Sequence, residues 1–111
     1  MIGVGVMGAD HARRLLRVIS GAMVSAVTDF DTDRAHALTA ELDATVFPTA
    51  NEHIAADEVD AVVIASCDAD HATPVMSCLT HRKPGLCEKP LAPTLAECCA
   101  VVDAPVAVKQ P

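Results

Sequence analysis

Three stretches of this chain carry residue types whose spacing could do chemistry. Gly3-Val4-Gly5-Val6-Met7-Gly8 is a G-x-G-x-x-G turn. Its first glycine permits a tight exit from a strand, its second lets backbone approach a pyrophosphate, and its third lets the next helix pack closely. That helix presents unpaired N–H groups and a positive dipole end, so the chemistry on offer is phosphate binding at the turn made by Gly3, Gly5 and Gly8. Asp29 stands about twenty residues further on, where an acid at the tip of the second strand would accept hydrogen bonds from the adenosine ribose hydroxyls. A 2′-phosphate would want an arginine at or just after that point. Phe30 and Asp31 occupy it and Arg34 lies a helical turn away, so NAD is favoured over NADP. Late in the chain, Leu86-Cys87-Glu88-Lys89-Pro90-Leu91 puts a lysine at the end of a short buried strand, which fits a dehydrogenase cofactor site.

Each of these residues also has a plainer reading. The glycines could form a tight turn with no ligand, Asp29 could open a loop and cap a helix, and Lys89 could be a solvated strand-end lysine. His11 falls on the first turn of the phosphate helix and is read as packing or capping. His71, at the start of a helix near the cleft, divides evenly between a nicotinamide-side contact and a surface role. His36, His53 and His81 fall on expected helix surfaces or ends and receive no function.

The elements that would position these groups alternate along the chain. Ala12, Leu15, Leu16 and Ile19 recur at helical spacing after Gly8, with Arg13, Arg14 and Arg17 between them. Met23 to Thr28 reads as a buried strand ending at Asp29. A helix from about Thr32 to Leu42 follows, capped by Asp31 or Thr32 and turning Ala35, Leu38, Ala40 and Leu42 inward. Thr45-Val46-Phe47 is a short strand stopped by Pro48, and Asn51 is expected to cap a brief helix through Ala56. Ala61 to Ala65 is a fourth strand. A helix from about Asp70 to Thr80 points Val75, Met76 and Leu79 inward, Leu86-Cys87 marks a fifth strand, and Thr94-Leu95-Ala96-Glu97 is a capping box for a last helix ending near Asp103. Apolar strands separated by amphipathic helices imply an α/β domain with a doubly wound parallel sheet covered on both faces. Ligands of such sheets bind outside the carboxyl ends of the strands, where Gly5, Asp29, Ser66 and Lys89 should converge.

Composition narrows the classes. At 111 residues and 51% apolar content the chain can form one small domain, with residues 1–104 as its body and 105–111 as a tail. A net charge of −7 and the lack of large basic clusters argue against nucleic acid and anionic membrane as partners. With no Trp or Tyr and two Phe, base-stacking platforms are missing too. Apolar runs are strand-sized and no secretory leader is evident, so a cytoplasmic location is expected. Five cysteines without C-x-x-C spacing indicate neither a disulfide framework nor a zinc site.

Taken together, Gly3 to Arg13, Val27-Thr28-Asp29, Val62 to Ser66 followed by His71, and Cys87-Glu88-Lys89-Pro90-Leu91 resemble the glucose-fructose oxidoreductase / inositol 2-dehydrogenase (Gfo/Idh/MocA) family. The resemblance covers nearly the whole chain, and its finer likeness is to inositol 2-dehydrogenase-like members. It implies a Rossmann domain for NAD(P), followed in full-length members by an α/β domain that holds a sugar or polyol substrate and builds the oligomer. It further implies that Gly3, Gly5, Val6, Met7 and Gly8 line the pyrophosphate and Asp29 holds the ribose, that Ala65, Ser66 and His71 border the nicotinamide half, that Glu88 and Lys89 reach the nicotinamide and the reacting hydroxyl, and that Lys89-Pro90 is a cis bond. The implied reaction is hydride transfer from a secondary alcohol to nicotinamide, with Lys89 stabilising developing oxyanion character.

Departures from the family pattern are informative. Only Met1 and Ile2 precede Gly3, so the central strand is expected to be nearly missing. Relatives tend to read A-G-K-P-V where this chain has His81-Arg82-Lys83-Pro84-Gly85. Arg82 stands where a left-handed glycine is common and Gly85 where a β-branched strand residue is common, each exchange costing about 1 kcal/mol. Asp68 and Asp70 add negative charge near the cleft. The tail from Asp103 ends where a substrate domain would begin, and the expectation is a truncated product, a fragment or one piece of a split reading frame. Two functions stay open: a NAD-dependent sugar or polyol dehydrogenase, or a non-catalytic dinucleotide-binding module or remnant. An incomplete sheet edge could also associate with another chain.

Overall fold

A computed structural model describes residues 1–104, so the expected tail over 105–111 lies outside the described residues. The elements are α1 (Val6–Arg17), β1 (Ala26–Val27), α2 (Thr32–Leu42), β2 (Thr45–Val46), α3 (Ala50–Ala55), β3 (Val62–Ile64), a 3-10 turn (Asp68–Asp70), α4 (Ala72–Thr80), β4 (Gly85–Cys87) and α5 (Leu95–Val102). β1 runs parallel to β2, with Ala26 opposite Thr45, and β3 runs parallel to β4, with Val63 opposite Leu86. Ile2 bridges the two pairs, in parallel to Thr28 on one side and to Ile64 on the other. Its N–H donates to the Val63 carbonyl and its carbonyl accepts from Ala65, both at 2.8 Å. On the other flank Gly3 N–H donates to Thr28 at 2.8 Å and Thr28 N–H to Met1 at 3.0 Å. The central strand is thus reduced to this short bridge, and the spatial order is β2, β1, Ile2, β3, β4.

Side chains alternate across the sheet with a period of two. Val27, Val46 and Val63 face α1 and α2 and pack with Val4, Ala12, Ala35 and Leu38. Ala26, Val62 and Ile64 face the other way onto Ile54, Val59, Val75 and Cys78. Both faces of the sheet are therefore covered, the Rossmann-like doubly wound arrangement. Among the described residues no helix is long and apolar enough to cross a membrane.

Several local expectations are corrected. α1 stops at Arg17, leaving Ile19 half exposed beyond it, and Leu16 also lies outward because the inward stripe is Gly8, Ala12 and Leu15. The second strand shrinks to Ala26–Val27, and Met23 is exposed. Ala40 and Met76 are exposed as well, Pro74 and Cys78 being the buried residues of α4. Thr49, not Asn51, caps α3: its hydroxyl accepts the Glu52 N–H at 3.2 Å, while the Asn51 side chain accepts from Ser77 at 2.8 Å. Pro74 is the third residue of α4, where an N–H would lack a helical acceptor, so the helix starts ahead of it without loss.

His53 differs most from expectation. It is buried against Phe47, with Nδ1 2.8 Å from the Thr28 hydroxyl. Burial, reinforced by the positive amino terminus and Lys83, pushes its pKa down to about 3, so it is a neutral core residue. The His81 region follows the departures read from the sequence. Arg82 takes φ 59°, the left-handed conformation that glycine usually fills. A Cβ added at Gly85 would approach Cys78 Sγ to 3.3 Å, so the bare strand position and the thiol beneath it fit one another. All five cysteines are free thiols, and burial raises that of Cys78 to about 11.

Candidate functional site

The glycine turn divides its labour. Gly3 has φ 80°, and a Cβ there would fall 2.4 Å from the Ser66 nitrogen. A Cβ at Gly8 would fall 1.8 Å from the Gly3 carbonyl oxygen, so both are demanded by close packing of α1 over the strand ends. Gly5 has nothing within 4 Å of the corresponding position and faces open space. It is the N-cap of α1 and supplies no side-chain cap, and the first turn holds no acid. The first helical bond runs from Ala9 N–H to the Gly5 carbonyl at 2.9 Å, leaving the N–H groups of Val6, Met7 and Gly8 at a positive helix end.

A cleft of about 650 Å³ opens there, at the carboxyl ends of the strands. Gly3, Gly5, Val6, Met7, Asp29, Ala65 and Ser66 line it, which brings most of the expected residues to one cleft. Ser66 Oγ is buried and has no hydrogen-bond partner among the described residues. Asp70 and Cys67 also line the cleft, whereas the Asp68 carboxylate turns to the Ala69 N–H.

Asp29 is held from every side. Its side chain is 1% exposed; Oδ2 accepts from Val4 N–H at 2.8 Å and Oδ1 from Asp31 N–H at 2.9 Å. The Arg34 guanidinium adds Nε at 3.2 Å to Oδ2 and Nη2 at 2.8 Å to Oδ1. Burial pushes the Asp29 carboxyl pKa up, but the guanidinium and the two N–H donors outweigh it and the net shift is downward. Arg34 also lies 5.4 Å from the Phe30 ring centre, and both residues line the cleft. The sequence spacing set Arg34 a helical turn away; in the folded chain it reaches back onto Asp29. Long side chains on a helix lean toward its N-terminus, so an arginine in the first turn of α2 was the available signal.

Gly8, His71, Glu88 and Lys89 are not among the cleft-lining residues. Glu88 donates its N–H to Ile64 at 2.9 Å while its carboxylate turns to α1, with Oε1 2.6 Å from His11 Nε2. Lys89 is exposed and its bond to Pro90 is cis. His71 is 1% exposed, which rules out the surface role, and sits beneath the rim. Its Nδ1 lies 2.6 Å from the Pro90 carbonyl and its Nε2 2.8 Å from the Ser66 carbonyl. The backbone at Pro90, just after Lys89, is thereby linked to that of Ser66 through His71.

A parallel sheet covered on both faces, a glycine turn opening α1 and an acid at the adjoining strand tip define a dinucleotide-binding Rossmann domain. Residues 1–109 match the oxidoreductase family described by its NAD-binding Rossmann fold, and the chain belongs to that family, Gfo/Idh/MocA. It is 48% identical over 105 residues to an inositol 2-dehydrogenase of Acidothermus cellulolyticus and 50% identical over 104 residues to inositol 2-dehydrogenase 2 of Paenarthrobacter aurescens. Each match covers 94% of this chain and 31% of the relative, so the chain spans about a third of their length. Among solved structures, myo-inositol dehydrogenase from Lactobacillus casei in complex with NAD(H) and myo-inositol aligns with a TM-score of 0.89 at 38% identity, over 92% of this chain and 31% of that one. A probable dehydrogenase from Thermotoga maritima aligns at 0.87 and 31% identity, with the same two coverages.

Proposed function

We propose that this chain is the NAD-binding part of an inositol 2-dehydrogenase-like oxidoreductase, one that oxidises a secondary alcohol of a sugar or polyol by hydride transfer to nicotinamide. The observation that carries this reading is the cleft, which gathers the uncapped helix end, the open approach at Gly5 and the unpartnered Ser66 hydroxyl. These features suit a phosphate-bearing ligand. The nicotinamide, when bound, supplies the hydride acceptor.

In this reading the N–H groups of Val6, Met7 and Gly8 hold the pyrophosphate, and Asp29 takes the adenosine ribose. Ala65 and Ser66 border the nicotinamide half, and the buried His71, hydrogen-bonded to the Ser66 carbonyl, positions that edge. Glu88, anchored by His11, sets the strand end from which Lys89 extends. As hydride leaves an alcohol carbon its oxygen gathers negative charge, and an ammonium nearby lowers the barrier. Lys89 has that role here. Relatives named for inositol oxidation support the substrate class, and a cytoplasmic setting belongs to the same reading.

A second reading, a dinucleotide-binding module without turnover, is favoured by the position of Lys89 outside the cleft wall and by the commitment of Glu88 to His11. Calorimetric titration with NAD and NADH, followed by an assay with myo-inositol and glucose, separates the two. Heat with reduction supports the enzyme, heat without reduction supports the module, and no heat at millimolar dinucleotide refutes both.

A further inference from the structure

Asp29 offers its ligand less than its position suggests. An ionised carboxylate has two oxygens and about four acceptor sites. Four donors already use them: the backbone N–H groups of Val4 and Asp31, which the fold fixes, and Nε and Nη2 of Arg34, which a side chain brings. A ribose diol needs two of the same sites. The diol and the Arg34 fork therefore compete for one carboxylate, and the backbone donors cannot yield. Arg34 can, since its side chain is 42% exposed and stands at the cleft edge.

We infer that Arg34 sets the coenzyme choice of this site, leaving Asp29 when NAD docks and staying on it when a 2′-phosphorylated dinucleotide docks, so that NADP is accepted as well as NAD. The inference rests on the dinucleotide reading above and deepens it. A guanidinium has five N–H donors. Two are spent on Asp29, and the remaining three can meet a phosphate in the planar geometry that arginine favours. A 2′-phosphate brings no donor for Asp29 and would be repelled by it if the two met directly. With Arg34 in place the arginine stands between the two anions. For NAD the balance reverses, because its diol gains Asp29 only as Arg34 gives way. NAD thus works against an intramolecular competitor that NADP does not displace.

The experiment is calorimetric titration of the full chain with NAD and with NADP, repeated on Arg34→Ala and Arg34→Lys, with thermal melts to confirm that each variant is folded. The wild-type Kd for NADP should lie within about tenfold of that for NAD. Removing a charge-assisted hydrogen bond to the phosphate corresponds to roughly tenfold or more in affinity. Arg34→Ala should accordingly weaken NADP by at least about tenfold while NAD binds as tightly or more tightly. Arg34→Lys keeps the charge without the fork and should fall between. Binding of NAD with no detectable NADP binding by the wild type overturns the inference and leaves the dinucleotide reading intact. So does an Arg34→Ala protein that loses both coenzymes equally or neither. If the wild type binds neither coenzyme, both the inference and the dinucleotide reading fail. The wild-type comparison decides the matter even if a variant does not fold.

Discussion

Acidification should destabilise this domain through His53, and the size of the effect follows from where that ring sits. It is 1% exposed, and burial holds its pKa near 3 against an ordinary 6.5. The sign is set by which state binds protons. Between these values the unfolded chain takes up a proton at His53 and the folded chain does not, so stability falls as pH drops below 6.5 and stops falling near 3. Each pH unit in that window is worth about 1.4 kcal/mol, giving about 2 kcal/mol at pH 5 and about 3.5 kcal/mol at pH 4. Against a total of roughly 5–15 kcal/mol for a small domain, that loss is large. Urea melts followed by far-ultraviolet circular dichroism at half-unit intervals from pH 7 to pH 4 would measure it, with His53→Gln as the reference. The variant keeps a polar partner for Thr28 and has no ring to titrate; it should start less stable and decline less steeply. The desolvated amino terminus of Met1, with its pKa lowered to about 5, adds its own loss between pH 8 and pH 5. It is present in both proteins, so the difference between the curves reports His53 together with its coupling to that terminus. Parallel curves would refute the reasoning.

Other substitutions test separate parts of the structure. Gly3→Ala should cost more than about 3 kcal/mol in urea melts, because the methyl group would enter the Ser66 backbone at a positive φ. Gly5→Ala meets no protein atom, so it should melt as the wild type does while losing dinucleotide affinity in the same titration used for the wild type. Arg82→Gly should stabilise by about 0.5–1 kcal/mol, read as a rise in Tm, by relieving the left-handed arginine. Ile54→Ala, at a fully buried position, should lose about 2–5 kcal/mol in denaturant unfolding.

Elements whose signals are local were readable from the residues. The Thr94–Glu97 capping box, the cap of α2 at Asp31, one of the two residues offered for it, and the end of β2 ahead of Pro48 each depend on a few neighbouring side chains, and each is present, although β2 ends at Val46 and not at Phe47. The glycine motif and Asp29 were readable for the same reason, since both follow from spacing along one strand-turn-helix unit. What escaped depends on packing between distant segments. His53 is polar by type and lies on a short helix, yet Thr28, 25 positions earlier, supplies the partner that lets it be buried. Glu88 could be placed at a strand end but not oriented, because its partner His11 is 77 positions away. Arg34 sits between these cases, within reach of Asp29 in sequence but legible only once the lean of helical side chains is considered.

The Ile2 bridge gives the molecule a seam. Between the two strand pairs the backbone hydrogen bonds run only through this residue and its immediate neighbours, while the apolar packing on each face, with Val27, Val46 and Val63 on one and Ala26, Val62 and Ile64 on the other, spans both pairs. Asp29 stands on one side of this bridge and Ser66 on the other, so any sliding of one half past the other alters the span of the cleft between them. Amide exchange at Ala65, whose proton crosses that seam to Ile2, would report such breathing before either half came apart.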